Sequence, residues 1–158
     1  MTRHSPLQRF LWSERGQSLV ETALALPLMA FTLLGGADMA RAFAIQLAVQ
    51  NGARAAAEAT ALDTTPTSTE ATAHAQQEMD RTPGMTATSS TITVTFTQSN
   101  GTSACSGAAS TAVAGTSTIA TPCYARVRVQ YTFSTLIAWP GLPSSFTFDR
   151  VTMYRRYQ

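Results

Sequence analysis

A long run of apolar residues near the N-terminus is the strongest pattern in the sequence. Residues 22–37 are sixteen consecutive uncharged residues, and the apolar stretch extends back to Gly16 with Glu21 as its only charge. A helix over these 22 residues would rise about 33 Å, which matches the hydrocarbon core of a bilayer. Three arginines precede the run and an aspartate follows it. The positive-inside rule therefore predicts a cytoplasmic N-terminus and an exported C-terminal part.

The helical pattern continues beyond this apolar run. Residues 38–61 are rich in alanine and contain no proline and one glycine, so the predicted helix extends over Leu19–Ala61. A helix of that length measures about 65 Å, which is too long to be buried inside a chain of 158 residues. Half of it must lie in lipid or against other subunits. Small residues also recur along one face, where either the chain's own sheet or another subunit can approach closely: Ala37, Ala40, Ala44, Ala48 and Gly52.

A short surface helix is predicted after a break at residues 63–66. Thr67 and Glu70 have the spacing of a capping box, which favours a helix that continues to about Arg81. Residues 99–122 consist almost entirely of Ser, Thr, Gly and Ala, with few side chains to pack. This composition predicts a loop that is held by the cysteines beside it.

Three segments of the second half predict β-strands. Residues 91–98 and 124–134 alternate strictly between apolar and polar side chains. Residues 146–154 alternate less regularly, which predicts a bulge near Asp149. The fold class is therefore α+β: a long N-terminal transmembrane helix that extends into a small exported domain with a short helix and a roughly three-stranded antiparallel sheet. On the second strand, the side chains expected to face inward are Val127, Val129, Tyr131 and Phe133.

Composition and cysteine positions narrow the class of protein. The formal net charge is +2 and 13% of the residues are charged, about half the usual fraction of roughly 25%. The basic residues are scattered arginines, so no nucleic-acid partner is predicted. Cys105 and Cys123 both lie beyond the predicted span. An oxidising compartment there favours one disulfide over two buried free thiols.

No constellation in the sequence predicts catalysis or metal binding. Glu70 and His74 lie four residues apart on the predicted short helix, but no third or fourth ligand accompanies them, and a solvated helix face is the preferred interpretation. The other histidine, His4, lies in the N-terminal leader, and the sequence has no nucleophile elbow and no Gly-rich phosphate loop. We expect a structural protein rather than an enzyme, with no cofactor and no metal.

The stretch RGQSLVE at residues 15–21 is the most informative motif. A lone carboxylate inside an apolar segment is costly and marks a functional residue. A cut after Gly16 would make Gln17 the new N-terminus and Glu21 its fifth residue. This spacing resembles the prepilin peptidase site of type IV pilins and pseudopilins, in which a basic leader ends in Gly and a Glu follows five residues later. The helix that follows, with Pro27 inside the span, resembles the TadE-like family of the tight-adherence pilus machinery in particular.

The resemblance to the TadE-like family covers residues 15–62 and about 124–156. It implies a pilin-like, minor pseudopilin of the cytoplasmic membrane that is trimmed by a prepilin peptidase and takes part in assembly or initiation of a pilus or related secretion apparatus. The partners it implies are that peptidase, other pilin-like subunits, pilus assembly proteins and the lipid bilayer. The expected divisions are a cytoplasmic leader at 1–16, the transmembrane and extended helix at 17–61, and the exported domain at 62–158.

Glu21 has a definite physical role within this interpretation. Cleavage after Gly16 creates an α-amine that is mostly protonated at neutral pH and lies at the membrane face. In low dielectric, pairing between this amine and Glu21 of a neighbouring subunit is strong, and an unpaired partner is heavily penalised. Glu21 would thereby select the stagger between subunits. The alternative is that Glu21 lies at the membrane surface and reaches water.

Two other interpretations of the long helix remain open. A signal peptidase that cuts near residues 40–42 would release a secreted, β-rich binding module. An uncleaved helix would instead anchor an adhesin-like domain. The N-terminal residue of the mature chain separates the three interpretations, because it is Gln17 for a pseudopilin, about Phe43 for a secreted module and Met1 for an uncleaved anchor.

Overall fold

The structure is a computed structural model that describes residues 14–63, 66–139 and 141–157, with side chains from Gly16 onward. A long helix, a short helix and a three-stranded antiparallel sheet confirm the predicted α+β fold. In chain order the elements are α1 (Glu14–Leu62), α2 (Ser68–Met79), a 3₁₀ turn (Ala87–Ser89), β1 (Thr91–Thr97), β2 (Tyr124–Ser134) and β3 (Ser145–Arg155).

Helix α1 contains 49 residues and extends beyond both predicted ends. The chain divides into two compact units, one that ends at Ala40 and one that begins at Arg41. The second unit is called the folded unit below. Its first residue lies inside α1. The reason is that the second half of α1 carries apolar residues that belong to the core of the folded unit.

Helix α2 begins with the predicted cap. The Thr67 hydroxyl accepts a hydrogen bond from the Glu70 backbone N–H at 3.2 Å and donates one to Glu70 Oε2 at 2.7 Å. These bonds satisfy a backbone donor that the first turn leaves without a helical partner. The helix ends at Met79, two residues before the predicted end.

The sheet has the order β1-β2-β3, with β2 antiparallel to both neighbours. The pairing of β2 with β3 is continuous from Tyr124 opposite Arg155 to Ser134 opposite Ser145. The bulge predicted near Asp149 is therefore wrong. Alternation is irregular in β3 because this edge strand places a polar Arg150 on the same face as its aromatic residues, beside Val129 of β2.

One face of the sheet packs against α1 and α2 to form the main core. Each β2 side chain that the alternation predicts to face inward is buried, from Val127 to Phe133. Burial of this apolar surface is the main source of stability of the folded unit. The helix residues packed in the same cluster are Ile45, Val49, Ala53, Ala56 and Ala57 of α1 and Ala75 and Met79 of α2.

The stripe of small residues on α1 is divided between two surroundings. Its C-terminal members, Ala48 and Gly52, are buried. At Gly52 the two helices approach so closely that a Cβ atom would lie 2.7 Å from Met79 Cγ and 3.1 Å from the Ala75 carbonyl oxygen. This half of the stripe packs within the chain itself. The remaining members are exposed: Ala37, Ala40 and Ala44.

Helix α1 and strand β2 run in opposite directions within the folded unit. At one end, the guanidinium of Arg41 lies 5.3 Å from the centroid of the Phe133 ring. At the other end, Arg156 Nη2 donates to the carbonyl oxygen of Asp63 at 3.3 Å. We call these the Arg41 end and the Arg156 end of the folded unit.

The predicted disulfide is present at the Arg156 end. Cys105 and Cys123 are bonded, with their Cα atoms 5.4 Å apart. Both cysteines are buried in a second apolar cluster, together with Phe96, Ala125 and Ala61 of α1. The bond therefore attaches the Ser- and Thr-rich loop to the end of the sheet.

Arg156 is a buried cation beside this cluster, and only 3% of it is exposed. Its guanidinium lies 5.4 Å from the centroid of the Phe96 ring, and its backbone N–H donates to the Cys123 carbonyl at 2.8 Å. Burial lowers the pKa of the Arg156 side chain, and the charge of Asp63 partly opposes this shift. Arg156 thus connects the end of β3 to the disulfide and to the end of α1.

Candidate membrane and assembly segment

The residues of the predicted processing motif lie on the first turns of α1. Gly16, Gln17 and Glu21 are all exposed. Gln17 Nε2 donates a hydrogen bond to Glu21 Oε1 at 3.0 Å. Their spacing of four residues places both side chains on one face of the helix. Residues 1–13 of the predicted leader lie outside the described part of the chain.

Two threonine side chains of the apolar segment satisfy their donors within α1. The Thr22 hydroxyl donates to the Ser18 carbonyl at 2.8 Å, and the Thr32 hydroxyl donates to the Leu28 carbonyl at 2.8 Å. In hydrocarbon, where no water is present to accept a hydrogen bond, an unsatisfied hydroxyl is costly. These bonds lower the cost of placing the segment in lipid.

The large apolar side chains of the same segment are exposed all around the helix. Leu24 is 75% exposed and Leu33 is 72% exposed, and residues between Gly16 and Leu34 show the same pattern. A core helix of a soluble domain would bury one face against its neighbours. Among the described residues, α1 is the one helix that is long and apolar enough to cross a membrane.

The apolar segment lies within a stretch of the chain that matches a known protein family. Residues 16–58 match the TadE-like protein family. This match confirms the predicted resemblance over α1. No curated protein and no solved structure matches the chain.

The TadE-like segment begins at Gly16 and contains Glu21, the apolar residues and most of the α1 residues packed in the folded unit. It ends at Glu58, so the match does not include the second region of resemblance, at about 124–156. The hydrogen bond from Gln17 to Glu21 was not anticipated from the sequence. The signal that predicts it is the spacing of an amide and a carboxylate four residues apart on a helix.

Glu70 and His74, which the sequence placed four residues apart, both lie on the surface of α2. Glu70 accepts the hydrogen bond of the α2 cap, and His74 is exposed one turn later. Within the described ranges, no group of three or more His, Cys, Asp or Glu side chains is placed to hold a metal.

On the outer face of the sheet, Arg128 donates from Nε to Asp149 Oδ1 at 3.0 Å. This hydrogen bond holds the pKa of Asp149 below its ordinary value and raises that of Arg128.

The pair of Arg128 and Asp149 is partly exposed, and surface ion pairs contribute little to stability. Arg128 is exposed, on the face of β2 opposite to the buried Val127 and Val129. We therefore regard the first turns of α1, and not the sheet, as the candidate functional site.

Proposed function

We propose that this chain is a structural pseudopilin of a tight-adherence pilus or a related secretion apparatus, and that it acts by assembly rather than by catalysis. The observation that carries the proposal is the exposed apolar helix with Glu21 near its start, inside the segment that matches the TadE-like family. That match supports a part in pilus assembly. The helix supplies a membrane anchor and a surface for other pilin-like subunits.

The proposed orientation places the N-terminus in the cytoplasm and the folded unit outside. Arginines precede the apolar segment, in agreement with the positive-inside rule. The disulfide, which lies beyond the apolar segment, supports export, since disulfides persist mainly in oxidising compartments.

The proposed processing step is cleavage by a prepilin peptidase between Gly16 and Gln17. The exposure of Gly16 and Gln17 supports access of a peptidase to this bond. The intact mass of protein extracted from membranes should correspond to loss of residues 1–16, and changing Gly16 to a bulky residue should leave the precursor in the membrane.

The same mass measurement separates the alternatives. A mature chain that begins near Phe43 would identify a secreted module, and recovery of only the full-length chain in the presence of the peptidase would contradict processing. An alanine at Ser18, an exposed residue between the proposed cut and Glu21, is the matched control and should be trimmed like the parent chain.

The proposed assembly step is an ion pair between subunits. After cleavage, the α-amine of Gln17 and the carboxylate of Glu21 lie on the same subunit, one helical turn apart. In a packed bundle, the carboxylate of one subunit can meet the amine of the next, and this satisfies both charges in an apolar setting. A stagger that leaves either charge unpaired is strongly disfavoured, so the pair selects one arrangement of neighbouring helices.

Replacing Glu21 by Gln should reduce association with pilin-like subunits by about tenfold or more, because the neighbour's amine loses its counter-charge while the side chain keeps its shape. Membrane insertion and the disulfide should be unchanged, since removal of a charge makes the span more apolar. The measurement is cross-linking and co-purification, normalised to the amount of protein in the membrane fraction.

Thr22→Val is the matched control, because it changes an exposed neighbour of Glu21 whose hydroxyl bonds only within its own helix. It should associate like the parent chain. Undiminished association of the Glu21→Gln chain, at equal membrane amounts, would show that Glu21 reaches water and that the pairing mechanism is wrong.

A further inference from the structure

The connection between β2 and β3 forms an apolar hairpin tip, defined here by Leu136, Ile137, Trp139 and Leu142. The Thr135 N–H donates to the Ser144 carbonyl at 3.0 Å and continues the strand pairing beyond Ser134. The Leu142 N–H donates to the Trp139 carbonyl at 3.1 Å and closes a turn. Gly141 has a φ of +82°, which its lack of a side chain permits. These two hydrogen bonds extend the pairing of β2 with β3 by one step and close a turn beyond it.

Two of the four large side chains of the apolar hairpin tip are exposed, where a turn is usually polar, and Ile137 and Trp139 are half-buried. Leu136 is 66% exposed and Leu142 is 61% exposed. Residues 129–148, which include the tip and the strand ends beside it, contain no charged residue. Neither leucine is needed for the core, whose clusters lie elsewhere. Grouped exposed apolar side chains mark a surface that meets another apolar phase.

The position of the tip in the folded unit indicates that this apolar phase is the lipid bilayer. It lies beyond Phe133, and the Phe133 ring contacts the guanidinium of Arg41, so the tip is at the Arg41 end of the folded unit. Arg41 is four residues from Ala37, the last residue of the apolar segment. Four residues span at most roughly 14 Å even when fully extended. Chain connectivity alone therefore keeps this end of the folded unit near the surface of any bilayer that α1 spans.

The two ends of the folded unit differ in chemistry. The Arg156 end carries two adjacent arginines and the loop of Ser and Thr residues, and its exposed apolar or aromatic side chains, Val113, Ile119 and Tyr157, are separate from one another in the sequence. The Arg41 end carries the tip with its tryptophan. Tryptophan and tyrosine are enriched at membrane–water interfaces, because an amphipathic ring is stable at the level of the lipid headgroups.

We infer that the apolar hairpin tip inserts into the headgroup region of the bilayer on the exported side and gives the folded unit a second contact with the membrane. The inference rests on the proposed insertion of α1 but not on cleavage or on a role in a pilus. A lipid surface fits better than a second copy, because four side chains offer far less area than the roughly 1,200–2,000 Å² of a stable protein interface. A lipid contact can be this small because α1 already holds the tip at a high effective concentration near the membrane.

The test uses the full chain with Trp12→Phe, which leaves Trp139 as the one tryptophan whether or not the leader is removed. The protein is reconstituted at one copy per nanodisc, with phospholipids brominated on the upper part of their acyl chains. We expect a blue-shifted emission from Trp139 and quenching by the brominated lipids. Flotation of the same protein with liposomes is measured first, and failure to float would contradict the proposed membrane insertion separately.

The matched control carries Trp12→Phe, Trp139→Phe and Ile119→Trp, since Ile119 is 94% exposed and lies in the loop at the opposite end. Lipid quenching of Trp139 should exceed that of this control by about threefold or more. Adding Leu136→Ser and Leu142→Ser to the Trp139 chain should reduce the quenching without unfolding the protein, because both leucines are exposed.

Equal lipid quenching at the two positions would overturn the inference. Shielding of Trp139 from aqueous acrylamide without quenching by brominated lipid would also overturn it, because that result would show a protein cover over the tip.

Discussion

Breaking the disulfide between Cys105 and Cys123 should lower the free energy of unfolding of the folded unit by about 3 kcal/mol. The bond closes a loop with a sequence separation of 18, and the chain-entropy estimate for a loop of this size gives that value. Few apolar side chains order the loop otherwise, since Ala108 and Ala114 are its only members packed beside the second cluster. Unfolding should be followed by pulse proteolysis of the full chain in detergent micelles at increasing urea.

Two perturbations of the disulfide should both lower the free energy of unfolding. Reduction of the parent chain breaks the bond and keeps both sulfur atoms, whereas a double change of the two cysteines to alanine also removes their packing. Ser106→Ala, at an exposed neighbour of Cys105, should change stability by less than about 0.5 kcal/mol. A loss below about 1 kcal/mol on reduction would mean that hydrogen bonds, and not the covalent link, hold the loop in place.

Replacing Gly52 by valine should lower the free energy of unfolding by about 3 kcal/mol, at the upper end of the cost of overpacking a core. Even the first added carbon would lie 2.7 Å from Met79 Cγ and 3.1 Å from the Ala75 carbonyl oxygen. Met79 is fully buried, so it has no room to move away, and the carbonyl belongs to the backbone of α2. Separation of α1 from α2 is the expected structural response.

Gly52→Ala gives a finer test of the same contact. In a helix with open space around the site, alanine in place of glycine raises stability by about 1 kcal/mol. A net loss of stability in Gly52→Ala would therefore come from the steric clash with α2. Gly36→Ala is the matched control in the same helix, because a Cβ atom there would meet nothing within 4 Å.

A double-mutant cycle completes the test. Met79→Ala removes the side-chain atoms that valine would meet and leaves the Ala75 carbonyl oxygen in place. The double variant should therefore be more stable than the sum of the two separate losses predicts. Simple additivity in the cycle would show that the helix contact is not tight at Gly52.

The helices and strands of this fold were predictable wherever a local sequence pattern was enough to specify them. The β2 segment was predicted with its observed ends, because its alternating side chains face a buried core on one side and solvent on the other. The α2 cap followed from the spacing of Thr67 and Glu70. The irregular alternation of β3 was misleading, because Arg150 shares the covered face with aromatic residues at an edge of the sheet.

The features that were not predictable depend on contacts between distant segments. Nothing near Arg156 in the sequence indicates that it is buried, since its partners are Phe96, Cys123 and Asp63. The small-residue stripe left two packing partners open, and only the position of α2 shows that Gly52 packs within the chain. At the candidate site, the motif from Gly16 to Glu21 was predictable because the cost of a charge in an apolar helix is a local property.

The early place of α1 in the chain has a consequence for the order of folding. Ile45 and Val49 are synthesised long before Val127 and Phe133, which cover them in the finished core. Arg156 closes the opposite end through a hydrogen bond to a residue 93 positions earlier. Such non-local contacts form late, after most of the chain has left the ribosome. During that interval an uncovered apolar face of α1 is exposed, so the nascent chain should depend on chaperones until its last strand is in place.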